Sequence, residues 1–127
     1  MENILSLAHY VGVAAEEKKA FDIKILNVSE LSSIADFFVI CSCNSVTQVK
    51  AVADEIEGKM KEKGHVISHR EGYQTARWIL LDFGNIVVHV FHKEDREFYN
   101  IERFWSEAQA IIKGYDTSQT VPIKDLR

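Results

Sequence analysis

The chain has 127 residues, of which 46% are apolar and 27% charged, with two cysteines, one proline and a formal charge of −4. This describes one globular domain with a single core, and excludes a long low-complexity linker and a repeat array. A mildly acidic chain without a cluster of cations does not neutralise nucleic-acid phosphates, and it suits a basic protein partner better.

No apolar run approaches the roughly 20 residues that cross a bilayer. The segment "MENILSLAHYVGVAAEEKK" has no basic leader and carries acids early, so it is expected to be neither a signal nor a transit peptide. Two cysteines in a chain of this size fit a reducing compartment, so a cytoplasmic setting is expected.

Ile4, Leu7, Ala8, Val11, Ala14 and Ala15 recur at helical spacing, which predicts an amphipathic helix over 2–20. "FDIKILNV" (Phe21 to Val28) alternates apolar and polar residues as a strand does. The polar turn "SELSSIAD" leads into a second apolar run, "FFVICS". That connection is too short for a helical crossover, so the two strands are expected to pair antiparallel.

Val46, Val49, Ala53, Ile56 and Met60 form one stripe of a helix that closes at Lys63-Gly64. Ser45-Val46-Thr47-Gln48 is S-x-x-Q directly before that stripe, a capping box. Ser45 would accept from the Gln48 N–H and Gln48 would reach back to the Ser45 N–H, stabilising the helix start by about 1 kcal/mol. "HVISHR" reads as a short strand and "EGYQTA" as a loop. "RWILLDFGNIVVHVFH" then reads as two strands split by a Gly84-Asn85 hairpin turn. A third long helix is expected from Asp95 to Ile112, its stripe being Phe98, Ile101, Trp105, Ala108 and Ile112. Residues 1–113 are expected to form the domain and 114–127, which lack any period, a flexible tail. The order α-β-β-α-β-β-β-α predicts an α+β domain with one mixed sheet of about five strands.

The hairpin carries the functional information. Ile79, Leu81, Ile86, Val88 and Val90 point to one sheet face, uniformly apolar as a helix-covered core requires. The other face mixes Trp78, Leu80, Val87 and Phe91 with Asp82 and His89. Two readings are open for it: a second covered layer, or an exposed apolar patch with polar punctuation of the kind that binds proteins.

Chemistry finds little support elsewhere. Cys41-Ser42-Cys43 is C-x-C rather than C-x-x-C, and no second pair completes a zinc site. The strand-turn-helix at "CSCNS" places helix N–H groups where an anion could sit. It has no glycine, no following lysine and no paired aspartate for Mg²⁺.

The segments "DFFVICSCNSVTQVKAVADEI", "EGYQTARWILLDFGNIVVHVF" and "REFYNIERFWSEA" together resemble the ribosomal silencing factor family, also called Iojap-like, over Phe21 to Ala108. The resemblance implies a nucleotidyltransferase-like fold without the catalytic acids, no enzymatic activity and no cofactor. It implies binding to the large ribosomal subunit through that subunit's ribosomal protein fourteen, so that small-subunit joining is blocked when nutrients are scarce. A role in large-subunit assembly, and a homodimer off the ribosome, are also associated with the family. An active nucleotide-binding or nucleotidyltransferase-type enzyme is the alternative. Carried over by position, the family's tryptophan is Trp78, its acid Asp82, its hairpin glycine Gly84, its histidine His89 and its helix tyrosine Tyr99. The expected partner-binding residues are therefore Trp78, Leu80, Asp82, Val87, His89, Phe91 and Tyr99. The chain departs from the family at Cys43, where glycine is common, and at Asn85, where aspartate is. Cys43 raises the question of whether that turn needs a positive φ.

Overall fold

The structure, a computed structural model, describes residues 3–30, 32–33, 35–105, 109–112 and 121–122, with side chains through Arg103. Helix α1 is Ile4–Glu17, its first turn capped by Asn3, whose side chain accepts from the Ser6 N–H at 2.7 Å. Strands β1 (Phe21–Asn27) and β2 (Phe37–Cys43) follow and pair antiparallel, as the short connection requires. Helix α2 is Val46–Glu62, then come β3 (His69–Glu71), β4 (Trp78–Asp82) and β5 (Ile86–His92). Helix α3 is Lys93–Tyr99, a 3-10 segment spans Ile101–Trp105, and two short strands, β6 (Gln109–Ile112) and β7 (Val121–Pro122), come last.

All seven strands join one sheet in the order β3-β4-β5-β2-β1-β6-β7. Among the described residues, only β2 and β5 run parallel, in register from Phe37 opposite Ile86 to Cys43 opposite His92, and the other pairs are antiparallel. The five expected strands thus form the sheet, and β6 and β7 extend it beyond β1.

One sheet face is the main core. Ile25, Val39, Ile79, Leu81, Val88 and Val90 are fully buried there against Val11 and Ala15 of α1 and Val49, Val52 and Ile56 of α2. Each such side chain stabilises the fold by roughly 1.5–3 kcal/mol through the area it withdraws from water. The α2 stripe is held in register by its cap, where the Ser45 hydroxyl accepts the Gln48 N–H at 3.1 Å. The reciprocal bond is displaced by one residue: Gln48 Oε1 accepts from the N–H of Asn44 (2.7 Å) instead of Ser45. The Gln48 amide also donates to the Lys18 carbonyl at 3.1 Å, tying the two helices together at this end.

Cys43 is the last residue of β2, buried in the main core, and it is not among the non-glycine residues with positive φ, which are Lys19, Asp22, Ala76 and Asn100. No left-handed turn is asked of it. Both thiols are free, and burial pushes both well above their ordinary value, Cys43 to about 12.

The helix expected from Asp95 to Ile112 is not continuous. It ends at Tyr99, and Asn100 takes a left-handed conformation (φ 44°, ψ 54°) whose N–H returns to the Arg96 carbonyl. Gln109–Ile112 is strand and pairs with β1. The break has a physical cause in Arg96 and Glu102, which form a buried ion pair. On a continuous helix, residues six apart diverge by roughly 120° and could not meet. Asparagine is among the few residues that adopt this conformation at little cost. Of the expected tail 114–127, Val121–Pro122 pair with β6, while 114–120 and 123–127 lie outside the described residues.

Candidate interaction surface

The β4–β5 register sets the expected site residues opposite one another on the second sheet face: Trp78 with Phe91, Leu80 with His89 and Asp82 with Val87. The parallel seam continues these rows into β2, placing Phe38 beside Val87, Ile40 beside His89 and Ser42 beside Phe91. The seven expected residues are therefore brought together, Tyr99 joining from α3 with its ring 5.2 Å from that of Trp78.

They occupy two depths. Phe91 is wholly buried, and Val87 and His89 are nearly so. Val87 and Phe91 join Leu26, Val28, Ala35 and Ile40 in a second, smaller core that Phe38, Trp78, Leu80 and Ile101 pack against. Trp78, Leu80 and Asp82 are half-buried, and Tyr99 is exposed. The mixed face is layered: Val87, His89 and Phe91 lie buried, with Trp78, Leu80 and Asp82 half-buried and Tyr99 exposed above them.

The Trp78 ring lies on Phe91, with centroids 4.8 Å apart and planes 27° from parallel. Its indole N–H donates to Nδ1 of His89 at 3.2 Å. That bond assigns the His89 proton to Nε2. The imidazole is further packed against the Phe38 ring, edge to face at 4.8 Å. Burial among these rings disfavours its charged form and pushes its pKa down to about 4, so His89 is neutral near pH 7.

Asp82 has a structural duty. Its carboxylate accepts the Gly84 N–H at 2.8 Å, and the turn closes with Phe83 N–H donating to the Ile86 carbonyl. Gly84, at φ 91°, holds the left-handed position that this hairpin requires. Gly72 does similar work at the other end of β4, where a Cβ would stand 2.1 Å from the Trp78 carbonyl oxygen, and its φ is 81°. The loop before β4 can lie on the backbone of Trp78 only because residue 72 has no side chain.

Sequence reasoning missed two features. Phe98, expected on a buried stripe, is 80% exposed and meets Tyr99 edge to face at 5.1 Å, extending the aromatic series from Trp78 onto α3. Its exposure follows from the early end of that helix, for which Asn100 was the available signal. The second feature is the Arg96 cluster. Arg96 donates through Nε to Glu102 at 3.1 Å and through Nη2 to the other carboxylate oxygen at 3.3 Å. Its Nη1 donates to Ser42 Oγ at 3.0 Å and to the Asp22 carbonyl. Lys24 adds a contact to Glu102 at 3.3 Å. Burial alone would raise the Glu102 carboxyl, but Arg96 and Lys24 outweigh it and hold the group below its ordinary value. A groove of about 380 Å³ opens beside this cluster, lined by Phe21, Asp22, Ser42, Lys93, Asn100 and Glu97 among others.

Among the described residues, no three His, Cys, Asp or Glu side chains converge as a metal site, and no helix is long and apolar enough to cross a membrane. Among the described residues, Trp78, Leu80, Phe98 and Tyr99 give this face an aromatic and aliphatic surface bordered by Asp82.

The family model described as "Ribosomal silencing factor during starvation" matches residues 1–125. The chain belongs to the ribosomal silencing factor family. A ribosomal silencing factor of Halalkalibacterium halodurans is 47% identical over 98 residues, which is 77% of this chain and 84% of that protein. The Bacillus subtilis ribosomal silencing factor is 42% identical over 106 residues, covering 84% and 90% of the two chains. Among solved structures, a Chromobacterium violaceum protein superposes with a TM-score of 0.81 at 31% identity, covering 93% of this chain and 98% of that one. Relatives named as silencing factors have a regulatory role in their names, and the α+β fold with one mixed sheet is the family's own.

Proposed function

We propose that this protein represses translation without catalysis or a cofactor. It binds the large ribosomal subunit through ribosomal protein fourteen of that subunit, and its bulk blocks joining of the small subunit when nutrients are limiting. The observation that carries this reading is the family match over residues 1–125. Trp78, Leu80, Asp82 and Tyr99, extended by Phe98, form the contact layer, and Val87, His89 and Phe91 support it from beneath. The chain's charge of −4 complements a basic partner. In the cytoplasm and off the ribosome, the same apolar layer would be covered by a second copy in a homodimer.

A nucleotide-handling enzyme would set cations against phosphate, and the groove beside Arg96 offers Lys93 for that. The buried guanidinium of Arg96 is instead already held by Glu102, Ser42 and Asp22. The test is a subunit-joining assay with purified ribosomal subunits. The protein should hold the subunits apart in proportion to its binding of the large one. Trp78→Ala should weaken that binding about tenfold or more, as loss of an aromatic anchor does. Joining that proceeds unchanged at saturating protein would refute the proposal. So would stabilisation by nucleoside triphosphate and Mg²⁺ without co-sedimentation on large subunits.

A further inference from the structure

His89 was grouped with the contact residues, yet it is 5% exposed and lies on the floor of the surface. Its Nδ1 takes the one polar hydrogen that the Trp78 side chain owns, at 3.2 Å. The indole is thereby held against Phe91 on one side and reached by Tyr99 on another, with centroids 4.8 Å and 5.2 Å away. The same tautomer leaves Nε2–H buried without a hydrogen-bond partner among the described residues. Burying an unpartnered donor is a poor way to stabilise a fold, and phenylalanine or leucine would fill the site without that cost. The imidazole is explained by its action on its neighbour.

We infer that His89 is a positioning residue: by accepting the indole N–H it fixes the ring of Trp78 and removes its only hydrogen-bonding atom from the surface, so a partner reads Trp78 through the ring alone. The complementary group on the partner is then an aliphatic side chain or a cation set against the ring, and not a carbonyl or carboxylate that would need an N–H donor. Asp82, half-buried and one row beyond Leu80 on the same face, gives a cationic side chain a place for its charge. This inference rests on the proposed ribosome-binding surface.

Two substitutions separate orientation from bulk. His89→Asn keeps an acceptor near the position of Nδ1 but loses volume, whereas His89→Phe keeps the ring and loses the acceptor. Each is made in the full chain and read in two ways. One is the solvent-exchange rate of the Trp78 indole N–H by NMR, assigned by its loss in Trp78→Phe. The other is affinity for purified large subunits. Slow exchange is expected in the wild type and in His89→Asn. His89→Phe is expected to exchange about tenfold faster and to bind about tenfold more weakly, while His89→Asn stays within about threefold of wild type in affinity. The inference is overturned if His89→Phe leaves both readouts unchanged, or if His89→Asn loses as much affinity as His89→Phe. If Trp78→Ala binds large subunits as the wild type does, the surface itself is misassigned and this inference falls with it. The exchange rates would still report separately whether His89 holds the ring.

Discussion

Breaking the Arg96–Glu102 pair should unfold the second sheet face before it touches the first. Both residues are buried, and Arg96 makes four hydrogen bonds across β1, β2 and the 3-10 segment. Replacing Glu102 with alanine leaves the guanidinium with Ser42, the Asp22 carbonyl and a distant Asp22 carboxylate at 3.6 Å. Removing one partner of a buried pair typically costs about 3–5 kcal/mol, because the other charge stays out of water uncompensated. Arg96 keeps partial compensation, so Glu102→Ala belongs at the lower end, about 3 kcal/mol. Arg96→Ala strands Glu102 with Lys24 alone and belongs nearer 4 kcal/mol. The double variant Arg96→Ala, Glu102→Ala removes both charges and should cost less than the two single losses added together, by about 2 kcal/mol. Urea denaturation followed by far-UV circular dichroism measures all three, and fluorescence reports tryptophan packing separately. Single variants within about 1 kcal/mol of wild type, or a strictly additive double variant, would show that the pair is solvated in solution and refute the argument.

Gly72→Ala combines a strained φ with a 2.1 Å approach to the Trp78 carbonyl. It should destabilise the fold by about 2 kcal/mol or more in denaturant titration and shift the backbone amide resonances around Trp78. Phe98→Ala should leave stability within about 0.5 kcal/mol, since the ring is exposed, yet weaken binding to large subunits. A loss of stability without loss of binding would remove Phe98 from the surface. Stability should also depend on His89. Its pKa is lowered from 6.5 to about 4 by burial, so the unfolded chain binds the proton first. The stabilisation is complete above pH 6.5 and is lost as pH falls from there towards 4, by about 3 kcal/mol at most. Glu102, whose pKa is also lowered, adds a further loss as pH falls below 4.5. His89→Phe should flatten the upper window and leave the lower one, and an unchanged slope between pH 6.5 and 4 would refute the assignment.

Much of this arrangement was legible in the sequence because its causes are local. The stripes of α1 and α2, the Ser45 cap and the Gly84-Asn85 turn each depend on residues within a few positions, and each forms close to where its pattern lies. Strand alternation put Trp78, Leu80, Asp82, Val87, His89 and Phe91 on one side, and the family resemblance added Tyr99 to them. Depth was not legible. Alternation separates two faces but cannot tell that Val87, His89 and Phe91 lie beneath Trp78, because that depends on what the chain after β5 lays over them. The end of α3 was missed for a related reason. Phe98, Ile101 and Trp105 keep helical spacing, and the feature that stops the helix is a buried charge pair, which hydrophobic periodicity does not register.

The lone parallel seam between β2 and β5 has a consequence for how the chain reaches this fold. The β1–β2 and β4–β5 pairs are hairpins, closed by short connections and so quick to form. Joining them means bringing Phe37 to Ile86, about fifty residues apart, after α2 has crossed between them. Among strands β1–β5 that closure spans the most chain, and it must precede the still longer β1–β6 pairing if the sheet grows outward from its centre, which places the folding barrier at the seam. Truncations in the interior of the seam, such as Val39→Ala or Val88→Ala, should therefore slow folding, whereas truncations in β3 should act mainly by speeding unfolding. The Trp78 surface is completed only when the seam closes, because the smaller core beneath it takes Leu26 and Ile40 from the β1–β2 pair as well as Val87 and Phe91 from β5. A nascent chain would carry no assembled Trp78 face until that closure is made.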